Sequence, residues 1–143
     1  MKLFKILSHP YTLIISFLFI LISGQHLGGF YALYILLGLT QGVLHSVLGF
    51  FGIVVLLISY HIASKQKSYL QHGLNILGVA MLFASIFYFF KNDTQRYNWG
   101  TFEEGLPLFT IVFTGFIAIC FLIGSFWNPS PRSGVNTTLL SKI

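Results

Sequence analysis

Charge is scarce in this chain. Only 8% of its 143 residues are charged, and Asp and Glu together number three, whereas soluble domains carry about 25% charged residues. Water is therefore not the main solvent of most of the sequence. No Asp, Glu, Lys or Arg falls inside any of the long apolar runs, which removes the carboxylates and lysines that commonly relay protons or couple ions within a bilayer. The single cysteine, Cys120, excludes an intramolecular disulfide and any cysteine spacing of the metal-binding kind. It lies in an apolar run and reads as a small packing residue. No polar segment is long enough to bury a core of its own, so a single domain is expected.

A formal charge of +5 would suit nucleic acid if it were concentrated on one face. Here the lysines and arginines stand singly or in pairs beside apolar runs, as topology signals do. No nucleic-acid partner is expected, and the bilayer is the expected partner.

What the chain does have is hydrophobic length: 55% of its residues are hydrophobic and its mean hydropathy is +0.82. At about 1.5 Å per residue, a core about 30 Å thick needs about 20 apolar residues. Four stretches approach that requirement, at about 10–24, 40–63, 70–90 and 106–127. The first follows Lys2 and Lys5, and Pro10 suits a first helical turn after Ser8 or His9. A cleaved signal peptide has the same charged start. However, Ile22 stands where a small residue is preferred, and more membrane segment follows, which favours retention as a span. Between the first and second spans, Phe30–Leu39 is too short to cross and is punctuated by Gly28, Gly29 and Gly38. It reads as a re-entrant or interfacial helix, or else as a kinked extension of the second span. The sequence thus predicts an all-α polytopic bundle of four transmembrane helices, with residues 1–127 as the membrane domain and 128–143 as a flexible tail.

Four spans place Lys2, Lys5, Lys65, Lys67, Arg132 and Lys142 on one side, and Lys91 and Arg96 on the other with all three acidic residues. The positive-inside bias then puts both termini in the cytoplasm, with the plasma (inner) membrane as the expected location. Tyrosines and tryptophans cluster near segment ends, as an aromatic belt would have them.

Within the second span, Gly42, His45, Gly49, Gly52, Leu56 and Ser59 share one helical face. Small and polar residues let helix backbones approach in lipid, so Gly42, His45, Gly49, Gly52 and Ser59 are the expected packing face, toward another span or a second copy. The third run repeats the pattern with Asn75, Gly78 and Ser85, and the fourth with Thr110, Thr114 and Ala118. An intramembrane histidine can also mark a pathway, so Gln41, His45, Asn75, Thr110 and Thr114 are the candidate lining of a conduit. His61 and His72, at matched depth, are the best-placed pair for a metal or haem iron. They lack a motif such as HExxH and any nearby carboxylate, so neither metal nor cofactor is expected. The reading that follows is a non-catalytic membrane component that binds a partner or a second copy of itself. An oligomeric solute or ion conduit is the alternative, and an intramembrane enzyme or haem/metal carrier the third.

Overall fold

The computed structural model describes residues 2–25, 28–63 and 69–127; the basic turn at 64–68 and the tail from 128 onward lie outside them. In chain order the elements are α1 (Lys2–Leu7), α2 (Pro10–Leu18), β1 (Leu21–Ile22), β2 (Gly29–Phe30), α3 (Tyr31–Thr40), α4 (Leu44–Ala63), α5 (Tyr69–Asn92), α6 (Gly100–Glu103) and α7 (Gly105–Trp127). Among the described residues the fold is all-α apart from one two-residue β-pairing, in which Leu21 lies opposite Phe30 and Ile22 opposite Gly29. Three helices among the described residues, α4, α5 and α7, are long and apolar enough to cross a membrane. Their 20, 24 and 23 residues correspond to about 30–36 Å of helix.

α4 and α5 form an antiparallel hairpin whose close contact is set by glycine. A Cβ on Gly52 would stand 3.2 Å from the Gly78 carbonyl oxygen, and one on Gly78 would stand 3.3 Å from the Gly52 carbonyl oxygen. The two backbones therefore touch. On either side of this point Gly49 faces Ser85 and Ser59 bonds to Asn75, so the small and polar stripes of the two helices meet in register. Large apolar side chains are left on the outer faces, where Phe51, Ile58, Ile76 and Phe87 are exposed.

The first predicted span is not one helix. His9 caps α2, its Nδ1 accepting the Tyr11 N–H at 3.4 Å, and Pro10 takes the first turn. The helix then stops at Leu18 after nine residues, about 14 Å and well short of a bilayer core. Partners outside the segment take its backbone: the Ile20 carbonyl accepts from Tyr31 N–H at 2.7 Å, and Leu21 N–H donates to Thr110 Oγ1 at 3.0 Å. Even so, the broken segment runs antiparallel along all of α7. Ser8 packs on Gly124, the Ser16 carbonyl accepts from Thr114 and Leu21 meets Thr110; beyond the start of α7, Ser23 N–H donates to Thr101 Oγ1 of α6.

The short apolar helix expected before the second span is present as α3. Its end differs from the expectation. Val43 N–H bonds the Gly38 carbonyl at 2.9 Å and Gly42 N–H bonds the Leu39 carbonyl at 3.2 Å, the paired bonds of a Schellman motif. Gly42 holds φ +65°, the left-handed conformation this motif requires. The second span therefore begins at Leu44 rather than Thr40, and Gly42 belongs to the turn before it. The core lies where α2, α3, α5 and α7 converge, with Leu13, Phe17, Ile20, Tyr31, Leu82 and Ile117 fully buried.

Candidate functional site

Two polar clusters lie at opposite ends of the α4–α5 hairpin. The first gathers around His45, in the first turn of α4, at the end that also carries Asp93, Glu103 and Glu104. Its ring lies against Phe89 in an edge contact, with centroids 5.1 Å apart, and near Tyr31 at 6.4 Å. Neither ring nitrogen has a hydrogen-bond partner. The backbone beside it is well tied. Ser85 Oγ donates to the His45 carbonyl at 2.6 Å, so its one proton is used, and the Tyr31 hydroxyl 2.8 Å away donates to Ser85. Ser46 Oγ donates to the Tyr34 carbonyl at 3.2 Å, and Gly38 leaves the room that Ser46 occupies. This cluster locks α3 across the start of α4 and the end of α5.

The second cluster joins α4, α5 and α7 at the Lys5 end. Ser59 Oγ donates to Asn75 Oδ1 at 2.5 Å, Asn75 Nδ2 donates to Ser125 Oγ at 2.7 Å, and Ser125 lies 3.3 Å from His72 Nδ1. Ser125 accepts from Asn75, and the His72 tautomer sets which of Ser125 Oγ and His72 Nδ1 donates in their contact. Beside these groups is a cleft of about 400 Å³ whose lining includes Lys5, His9, Tyr60, Gln71, Asn75 and Ser125. Its mouth carries an aromatic trio of His9, Tyr11 and Tyr60, with ring centroids 5.2–5.5 Å apart. Gln71 Oε1 is buried there without a hydrogen-bond partner.

The residues singled out from the sequence therefore separate. Gly49, Gly52 and Ser59 lie together against α5; His45 sits one to two turns away among aromatic rings of α3 and α5; Gly42 lies outside the helix. Of the five suggested conduit residues, Gln41 is exposed in the turn after α3, and Asn75 is in the second cluster. Thr110 and Thr114 hold backbone: Thr110 bonds Leu21 N–H and the Pro107 carbonyl, and Thr114 donates to the Ser16 and Thr110 carbonyls. Asn75 lines the cleft at the Lys5 end, and Thr110 lines a separate groove between α2 and α7. His61 lines an apolar groove with Leu57, Ile58 and Ile62, while His72 turns toward Ser125 and stacks on Phe126. Among the described residues no group of three or more His, Cys, Asp or Glu side chains is placed to hold a metal ion.

Sequence reasoning passed over Tyr31, Gln71 and Ser125. Ser125 had a signal, because the stripe Thr110, Thr114, Ala118 continues at helical spacing through Phe121 to Ser125. Tyr31 had none beyond its place at the start of a short apolar run. Comparison with protein-family models, curated proteins and solved structures gives no match. The class of protein defined by the fold is a helical bundle with three helices able to span a membrane.

Proposed function

We propose that this protein is a non-catalytic component of a membrane assembly, built as four crossings with both termini in the cytoplasm. The fourth crossing is the broken segment from α1 to β1. Its support is the run of contacts with α7 from Ser8–Gly124 to Leu21–Thr110, continued by Ser23–Thr101 on α6. Irregular backbone at membrane depth is tolerated where protein satisfies it, and Thr110, Thr114 and Tyr31 do so here. α1, the end of α4, the start of α5 and the end of α7 come together at one end of the bundle, opposite Asp93, Glu103 and Glu104.

One observation carries the functional reading. Of the polar side chains suited to a pathway, Asn75, Thr110 and Thr114 are engaged in holding the bundle together, while the outer face of α7 presents Phe109, Val112, Phe116, Ile119 and Ile123. Such a face meets lipid or another apolar helix. The experiment is site-specific photo-crosslinking in native membranes from position 116 of α7, with position 117, which is buried, as the internal control. A discrete protein adduct from 116, either a second copy or another membrane protein, supports the proposal. Lipid adducts alone overturn it. Solute or ion flux in liposomes of the purified chain would replace it with the conduit reading.

A further inference from the structure

The cleft at the Lys5 end has features that helix packing does not need. Its floor is polar and buried: Asn75 is 4% exposed, and Gln71 Oε1 is shut away from solvent with no donor. A buried acceptor without a donor is costly, and a native structure keeps one chiefly where a ligand or water completes it. Donors stand at the rim. Lys5 brings an ammonium, the Tyr60 hydroxyl another proton, and His9 a third. Because His9 Nδ1 accepts the Tyr11 N–H, the proton of the neutral ring resides on Nε2.

Electrostatics add a sign. The chain's three carboxylate side chains, Asp93, Glu103 and Glu104, all fall between the end of α5 and the start of α7, at the far end of the bundle from Lys5, so none can neutralise it. The cleft itself, about 400 Å³, falls in the range of small-ligand sites. Its surroundings say at what depth a ligand would lie. Leu3, Phe4 and Ile6 on α1 are exposed apolar residues on either side of Lys5, which is how a short helix lies in the interfacial zone of a bilayer.

We propose that this cleft binds the headgroup of an anionic glycerophospholipid. The phosphate is held by Lys5 with the Tyr60 and His9 donors, the Gln71 amide turns into the cleft so that a headgroup hydroxyl donates to its Oε1, and the acyl chains lie along the apolar side of α1. Lysine serves as a point charge for phosphate, and basic groups at a bundle's edge are the usual means of selecting anionic lipid. The proposal rests on the membrane placement of the bundle and is independent of whether a protein partner exists.

The test uses the full chain purified in an uncharged detergent, with thermal unfolding followed during titration with dihexanoyl phosphatidylglycerol, dihexanoyl phosphatidylcholine or inorganic phosphate. Phosphatidylglycerol should raise the unfolding temperature saturably, and the other two should not at equal concentration. Lys5→Gln and Gln71→Leu should each weaken half-saturation about tenfold, the loss expected for one charge-assisted or buried hydrogen bond. Lys5→Arg should restore most of the response. Lys5 is exposed, so its variants report binding even if Gln71→Leu folds poorly. An equal response to phosphatidylcholine would reduce the effect to acyl chains and overturn the proposal. Inorganic phosphate acting as well as phosphatidylglycerol would overturn the lipid assignment, and an unchanged response in a folded Gln71→Leu would move binding out of the cleft.

Discussion

Alanine at Gly52 and alanine at Gly115 are the same chemical change in the middle of two apolar helices, yet they should shift stability in opposite directions. At both sites alanine gains helix propensity, up to about 1 kcal/mol. At Gly115 the new methyl meets nothing within 4 Å, so the gain stands. At Gly52 it would lie 2.9 Å from Leu82 Cδ2, 3.2 Å from the Gly78 oxygen and 3.2 Å from the Leu82 nitrogen. The leucine tip can swing aside, but the two backbone atoms of α5 move only if the helices part. Overpacking of this kind costs about 1–3 kcal/mol, leaving Gly52→Ala about 0–2 kcal/mol less stable than the parent and about 1–3 kcal/mol below Gly115→Ala. Reversible unfolding in mixed detergent micelles, with both variants at one protein concentration, measures the gap. Gly78→Ala should resemble Gly52→Ala, and the double variant should cost less than the sum, since helices already separated accept the second methyl more easily. Equal stabilisation at Gly52 and Gly115 would refute the close crossing of α4 and α5.

Other substitutions examine other joints. Thr110→Val keeps shape but strands the Leu21 N–H, and should cost about 1–3 kcal/mol, read by the same unfolding assay. Asn75→Leu removes the link between Ser59 and Ser125 and should cost a similar amount, with increased protease sensitivity at the end of α7 as a second readout. Gly42→Ala meets no side chain, so its penalty should be only that of a left-handed alanine, about 1–2 kcal/mol. In a Cys120→Ser background, Asn98→Cys should react with a membrane-impermeant thiol reagent in intact cells and Ser68→Cys should not; the reverse pattern would invert the proposed orientation.

The α4–α5 interface was the most legible part of the chain. Gly49, Gly52 and Ser59 on one run and Asn75, Gly78 and Ser85 on the next could be read from helical spacing alone, because small residues in lipid-spanning helices mark where backbones approach. Gly42 shared that spacing by coincidence. Periodicity does not distinguish a glycine on a helix face from one that ends the preceding helix; the pair of bonds from Gly42 and Val43 back into α3 made that choice. The His45 surroundings were legible only as depth. Its ring contacts depend on α3 folding back across the hairpin, an arrangement governed by Tyr31, Tyr34 and Phe89.

The amino-acid order by itself determined the three long apolar helices and the face by which two of them meet. These follow from local quantities: apolar length against bilayer thickness, and the angular position of small residues around a helix. Tertiary structure decided where the first apolar segment breaks and what the polar residues are for. FLFILISG carries no stop signal before its glycine, and its backbone leaves the helix because Tyr31 and Thr110 offer hydrogen bonds from 11 and 89 residues away. The same distance explains the threonines and the cleft. Whether Thr110 lines water or caps a backbone, and whether Lys5 lies near Gln71, depends on which helices become neighbours, and a pairing between remote segments leaves no periodic trace in either one.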